Sequence, residues 1–467
     1  MRTLPSVTPT PEQLAIFSRT TPGVMLIRGA AGSGKTTTAL LRLRALTRFF
    51  ANRKRRVDDT VPVHVLVLTF NRTLRGYIDA LTRQQAIGAQ GIEMEVSTFS
   101  RWAVRVLGRP TLVQVKQRSA QLKSLGKPLG FADDFLLDEV NHVLGRFLPS
   151  TLQSYITVRR DGRGASPRVD RAMRERILTE VITPYSDWKE MNRLLDWNDL
   201  AIRLTEASVT PRYDIIIADE TQDFSANQIR ALQNQLAPEH SLTFVLDSAQ
   251  RIYAHYFSWQ EAGVTVRPEN IKRLTRNYRN TVEIAKFAKA ILRGLPIDDD
   301  GTLPDFDACD RHGSIPIVLR GRFGPQADYV IEYIKTKVDL ANESVAFLHP
   351  LGGAWFYHLE QTLKRAGLPF VSISRESEWP EGAENIALST FSSAKGLEFD
   401  HVVILGLNAE VTPHGVEDDD DRLARLRRLL AMGIGRARLS VILGYKPAEA
   451  SKLIEYLDPE TYEIVVV

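Results

Sequence analysis

At 467 residues, with 43% hydrophobic and 25% charged side chains, the chain has the makeup of an ordinary soluble globular protein, which argues against collagen-like, disordered and membrane-spanning classes. That length calls for two or three packed units, each large enough for its own core, and a net charge of +4 admits a polyanionic partner without requiring one. A single cysteine, Cys309, excludes an intrachain disulfide and a four-thiolate iron–sulfur cluster, and the nine histidines form no HExxH pattern.

The N-terminal MRTLPSVTPT lacks the apolar core of a secretory signal, and no later run approaches the roughly 20 apolar residues of a membrane span. A cytoplasmic protein without a membrane partner is the expectation.

Taken in chain order, short apolar runs at Val24 to Ile27, Val63 to Leu68, Tyr213 to Ala218 and Leu242 to Leu246 read as buried parallel strands, each followed by a helical pattern. A second series follows at Ile315 to Leu319, Val345 to Leu348, Phe370 to Ile373, Val402 to Leu405 and Leu439 to Leu443. The α/β expectation is two lobes with parallel sheets. Residues 105 to 194 differ, with helical runs at Asp133 to Phe147 and Val169 to Val181, and read as a helical insert in the first lobe. The expected division is therefore 1–104 and 195–275 for the first lobe, 105–194 for the insert and 276–467 for the second lobe. Within the insert, TVRRDGRGASPRVDRAMRER is either a phosphate-contacting surface or a solvated helix and loop. RKRR at 53 to 56 and DDDD at 418 to 421 read as solvated loops, and Trp259 as a core residue.

After the strand VMLI comes Gly29-Ala30-Ala31-Gly32-Ser33-Gly34-Lys35-Thr36, the full GxxxxGK(S/T) pattern, and then the helical TTALLRLRAL. Glycines at these positions let backbone N–H groups turn inward around phosphates. Lys35 is placed to reach the β and γ oxygens, and Thr36 to offer its hydroxyl to magnesium. ATP with Mg2+ is thus the expected cofactor.

The second magnesium ligand and a base for water are expected from Asp219-Glu220-Thr221-Gln222-Asp223, which ends the apolar run IIIA. Strand C-termini are where α/β sites lie. Asp219 would hold magnesium, and Glu220 would polarise the attacking water.

These motifs are followed by others in a fixed order, and together they resemble the superfamily 1A helicases of the UvrD/Rep/PcrA type. Leu246 to Tyr253 (LDSAQRIY) is similar to the family's GDxxQxIY, and Leu274 to Arg279 (LTRNYR) to its LxxNYRS. Thr390 to Asp400 (TFSSAKGLEFD) is similar to TxHxxKGLEFD, and the RRL at 427 to 429 with GIGRA at 433 to 437 to RRLxYVGxTRA. The resemblance implies two RecA-like P-loop NTPase lobes. It also implies that Gln13 reads the adenine edge, Tyr278 stacks on the base and Glu398 contacts the ribose. Gln250 would sense the γ-phosphate, and Arg279 and Arg436 would be two arginine fingers. Thr69, Phe70, Asn71, Thr98, Tyr253, His255 and Thr390 are the implied contacts to a nucleic-acid strand.

The chain departs from the pattern at several positions. Thr37 stands where many members carry an arginine that sandwiches the adenine, His255 where they have tryptophan, Phe391 where they have the TxH histidine, and Ala431 and Gly435 where they have tyrosine and threonine. Roughly a hundred residues separate NYR from KGLEF, so the large second-lobe insertion of the family is expected to be missing.

The function this implies is an ATP-dependent translocase or helicase moving 3′ to 5′ on single-stranded DNA or a duplex with a single-stranded tail. The alternative is an ATP-gated DNA-sensing or assembly subunit working with a nuclease, repair or defence partner. A P-loop enzyme phosphorylating a small molecule would leave two arginine fingers and a second lobe unexplained.

Overall fold

The computed structural model describes residues 9–29, 33–57, 60–69, 91–159, 168–246, 257–275, 279–295, 309, 311–373, 382, 384–395, 397–415 and 420–467. Among them no helix is long and apolar enough to cross a membrane.

The first sheet is built from β1 (Gly23–Gly29), β2 (Val63–Thr69), β3 (Ile92–Thr98), β4 (Tyr213–Ala218), β5 (Leu236–Leu246) and β6 (Ile271–Leu274). Its order is β3-β2-β4-β5-β1-β6, and every pairing is parallel. Strands β2 and β4 are buried along their whole length, as a sheet covered on both faces demands. Helix α1 (Pro11–Phe17) precedes β1 and the 22-residue α2 (Lys35–Arg56) follows it. The RKRR run forms the last turn of α2 rather than a loop, with its cations at the negative end of the helix dipole. Within it, Lys54 is tied to Asp214 at 3.1 Å.

Between β3 and β4 the described residues are mostly helical. Here lie α3 (Phe99–Val106), α4 (Val115–Gly126), α5 (Asp133–Arg146), α6 (Arg171–Arg176), α7 (Thr183–Met191) and α8 (Trp197–Glu206). A π-helical turn, Ile177–Ile182, joins α6 to α7. Pro184 cannot donate back to the Glu180 carbonyl, and the preceding turn widens accordingly. These helices own a separate apolar cluster around Leu122, Val140, Val143, Ile177, Val181 and Tyr185. The cluster is anchored to the first sheet through α9 (Ala226–Asn234), where Asn227 donates to the carbonyls of Leu144 and Phe147 at 2.9 and 3.0 Å.

The second sheet uses β7 (Ile317–Arg320), β8 (Val345–His349), β9 (Phe370–Ser372), β10 (Ile386–Thr390), β11 (Phe399–Ile404), β12 (Ala437–Tyr445) and β13 (Glu463–Val466). Its order is β13-β7-β12-β11-β8-β10-β9, again wholly parallel. Helices α10 (Val282–Leu292), α11 (Phe323–Lys337), α12 (Phe356–Arg365) and α13 (Asp421–Ile434) cover it. Asp420, from the DDDD run, caps α13 through Arg422 N–H, while residues 418 and 419 lie outside the described residues. Helices α5 and α13 meet through Arg425–Asp138 at 2.5 Å and Arg422–Asp134 at 3.5 Å. One apolar cluster takes residues from both sheets, Val65 and Ile217 with Leu348 and Val402 among them. Trp259 packs on Phe244, ring centroids 4.9 Å apart, as a core residue should.

His349 ends β8 with its ring stacked on Trp355 and its Nδ1 accepting the N–H groups of Leu351 and Gly352, both at 3.1 Å. Burial lowers its pKa from 6.5 to about 4, and protonation would also destroy both hydrogen bonds. Because the folded value is depressed, this contribution is complete above the unfolded pKa of 6.5 and is lost as pH falls through 4. It amounts to about 3 kcal/mol, at 1.36 kcal/mol per unit. Urea unfolding between pH 7 and 4 should therefore show His349→Gln to be less acid-sensitive than the parent. Parallel pH dependence of the two proteins would contradict this.

Candidate nucleotide site between the two sheets

Strand β5 lies between β1 and β4, so the ends of β1 and β4 are two strand spacings apart, about 10 Å, on one edge of the first sheet. The residues following these two strands span that gap. Thr36, in the first turn of α2, donates its hydroxyl to Asp219 Oδ2 at 2.8 Å. Two glycines permit the approach. A Cβ on Gly29 would sit 2.3 Å from the Ser33 hydroxyl, and Gly34 adopts φ +76° with its Cβ position 2.4 Å from the Gln13 amide. Gly34 caps α2 with no side-chain cap hydrogen bond, and the N-terminus of so long a helix favours an anion. Ala30, Ala31 and Gly32 lie outside the described residues.

Gln13 is buried, and its amide is committed on both sides. Its Oε1 accepts the Thr10 N–H at 3.0 Å and its Nε2 donates to the Gly34 carbonyl at 3.4 Å. In this arrangement it braces the loop against α1, and a primary amide keeps a second proton and a second lone pair for a further partner. Thr37 lies half-buried in the first turn of α2.

The two acids after β4 are fully enclosed but pushed in opposite directions. Burial, joined by the neighbouring Glu220 charge, raises Asp219 to about 6, against the opposing pull of the Thr36 hydroxyl, the Glu220 N–H and Lys35. Burial alone would raise Glu220 too, but Lys395, Arg436 and Lys35 outweigh it and hold the carboxyl below its ordinary value. Glu220 sits at φ +54°, a left-handed conformation that a side chain other than glycine adopts only under constraint. Here the constraint is the Glu220 N–H bond to Asp219 Oδ1 at 2.9 Å and the Gln222 amide donated to its own carboxylate. A hydroxyl and a carboxylate at 2.8 Å, with the acid's charge penalised by burial, form an all-oxygen set that suits Mg2+. Thr36 and Asp219 would hold the ion, which would neutralise phosphate oxygens.

The second sheet presents cations to this edge. Lys395, completely buried, forms ion pairs with Asp223 and, at 3.5 Å, with Glu220. Arg436 is 2% exposed, donates to the Leu397 carbonyl at 3.4 Å and acts electrostatically on both Glu220 and Glu398. Arg279 is ion-paired with Glu398. Burial works against the Glu398 charge, but Arg279, Arg436 and Arg438 prevail and hold its pKa low. In this structure Glu398 is the partner of Arg279 through one carboxylate oxygen, Oε1. Lys395 has no assignment from sequence, although it stands in the KGLEF stretch, because its acidic partners belong to the other sheet, 172 positions away for Asp223.

Of the implied strand contacts, Thr69 and Thr98 are register partners at the ends of β2 and β3, and Thr390 ends β10. Thr69 is fully buried, Thr98 caps α3 by accepting the Arg101 N–H, and Thr390 accepts the Ser393 N–H. Phe70, Asn71, Gln250, Tyr253, His255 and Tyr278 lie outside the described residues. No cluster of three or more metal-ligating His, Cys, Asp or Glu side chains exists among the described residues.

The UvrD/REP helicase N-terminal domain model matches residues 10–278, more than half of the chain, and the UvrD-like helicase C-terminal domain model matches residues 358–447. The chain belongs to the UvrD/REP helicase family. It is 24% identical over 313 residues to the ATP-dependent DNA helicase PcrA of Leuconostoc citreum, covering 59% of this chain and 38% of that one. It is 22% identical over 308 residues to a protein named "Probable DNA helicase" from Mycoplasma pneumoniae, covering 59% and 55%. The matched region is thus between about a third and just over half of these relatives' lengths. Among solved structures, the C-terminal domain of a possible DNA helicase from Lactobacillus plantarum WCFS1 matches 40% of this chain and 97% of that one, with 22% identity and a TM-score of 0.31.

Proposed function

We propose that this member of the UvrD/REP family is an ATP-driven motor that moves 3′ to 5′ along single-stranded DNA and hydrolyses ATP between the two sheets. The observation that carries the reading is the meeting of Lys395 and Arg436 from the second sheet with Glu220 and Asp223 from the first. Cations that reach the phosphate-side acids only when the lobes close make hydrolysis depend on lobe position, and lobe position depend on hydrolysis.

In this proposal Lys35 and the first-turn N–H groups of α2 bind the phosphates, Glu220 orients and deprotonates the attacking water, and Arg279 and Arg436 stabilise the transition-state charge. Gln250 senses the γ-phosphate, and Tyr278 stacks on the base. Thr69, Phe70, Asn71, Thr98, Tyr253, His255 and Thr390 line the strand path. The division into a first lobe (1–104 and 195–275), a helical insert (105–194) and a second lobe (276–467) belongs to the same proposal.

The polarity is tested by ATP-dependent displacement of streptavidin from biotinylated single strands. Displacement from the 5′ end alone is expected, and displacement from the 3′ end alone would reverse the assignment.

A second reading, a strand-sensing or assembly subunit with a nuclease or repair partner, draws on one observation. Among the described residues, the strands between Arg279 and Glu398 all belong to the second sheet, with α10, α11 and α12 packed around it. ATP hydrolysis without displacement from either end would favour it.

A further inference from the structure

Arg279 and Arg436 come from segments far apart in sequence, yet the described structure fastens those segments together at several points. Arg279 Nη1 donates to the Gly435 carbonyl at 3.1 Å. The adjacent Asn280, 3% exposed, donates its amide to Gly435 at 3.2 Å and to Ala437 at 2.6 Å, the carbonyls on either side of Arg436. Arg311 closes the far side, donating from Nη2 to the Arg279 carbonyl at 2.6 Å and to the Arg438 carbonyl. Asn280 stands where the LxxNYRS pattern ends in serine. A serine hydroxyl has one proton and a shorter reach, so it cannot donate to both carbonyls.

We propose that Asn280 and Arg311 are positioning residues that join the Arg279 and Arg436 segments into one rigid unit, so that both guanidinium groups reach the terminal phosphate together. This rests on the cleft being the ATP-hydrolysing site. Two arginines that must both meet transition-state charge gain from being fixed relative to each other before the lobes close, since a misplacement of about 1 Å costs about 10²-fold in rate. Neither residue touches the substrate in this account. They act through the backbone on both sides of Arg436.

The experiment uses the full chain with Asn280→Ala, Asn280→Ser and Arg311→Met. It reads kcat and KM for ATP at saturating single-stranded DNA, together with affinities for ADP and for ADP–aluminium fluoride, whose fluoride mimics the phosphoryl group in flight. The expected result is a kcat lowered about 10-fold to 10²-fold with KM little changed. ADP–aluminium fluoride should bind more weakly while ADP binds as in the parent. Arg311→Met, at an exposed position, gives the same pattern if the buried Asn280 variants fold poorly. Parental kcat in both Asn280→Ala and Arg311→Met would overturn the proposal, as would equal loss of ADP and ADP–aluminium fluoride affinity. A parent protein with no ATP hydrolysis would instead overturn the underlying reading of the cleft.

Discussion

Glu220→Gln is expected to lower strand-stimulated ATP turnover by about 10²-fold to 10⁴-fold, the range for loss of a positioned general base, while leaving single-strand binding close to the parent's. The expectation follows from the geometry at the end of β4. The Glu220 backbone is held at φ +54° by its N–H bond to Asp219, which turns the side chain away from its neighbour and toward Lys395 and Arg436. Its carboxyl is kept ionised despite complete burial, as a base at neutral pH must be. Glutamine keeps the shape and the hydrogen-bonding oxygen but cannot take a proton. Steady-state hydrolysis with saturating DNA, paired with fluorescence anisotropy on a labelled strand, checks both halves. Parental turnover in Glu220→Gln would move the role to the other acid beside Lys395, Asp223.

The second large effect is expected at Arg436. Arg436→Ala should lower turnover by about 10³-fold or more, as for arginine fingers elsewhere, and Arg436→Lys should recover little of it. A lysine could carry the charge, but not the planar fork that bonds the Leu397 carbonyl while facing Glu220 and Glu398. Single-turnover hydrolysis separates this loss from slow product release. Near-complete rescue by lysine would reduce Arg436 to a point charge.

The strands most legible in the sequence are those buried along their whole length, although the half-exposed edge strand β9 is legible as well. VHVLVLT and YDIIIA leave no alternative, because their middles are wholly apolar and polar residues stand only toward the ends, His64 and Thr69 in one and Asp214 in the other. Strand β3, IEMEVST, escapes the same reading because it is a sheet edge whose apolar run is broken by Glu93, paired with His64 of β2, and Glu95, paired with Arg105 of α3. Strand β6 is interrupted by Lys272 and Arg273, the exposed edge strand β13 opens on Glu463, and the apolar run of β10 stops at Ser389 and Thr390. The RKRR run reads as a loop on charge alone, yet cations are what the last turn of α2 favours.

At the site, the residues whose chemistry is local were legible: Lys35, Thr36, Asp219 and Glu220 belong to two short motifs. What the sequence could not supply is the pairing across the cleft. Lys395 finds Asp223 and Glu220, Arg279 finds Glu398, and Asn280 finds two carbonyls, each at a long sequence separation that only the completed fold closes. Gln13 has a second role that its motif does not announce, bracing Thr10 and Gly34 through its amide.

The central claim, that hydrolysis between the lobes is coupled to a single strand, is tested most directly by ATP turnover of the full chain with and without single-stranded DNA of graded length at fixed salt. Turnover that rises with strand length to a plateau, and vanishes in Lys35→Ala, is the predicted result. Turnover indifferent to DNA at every length would contradict it.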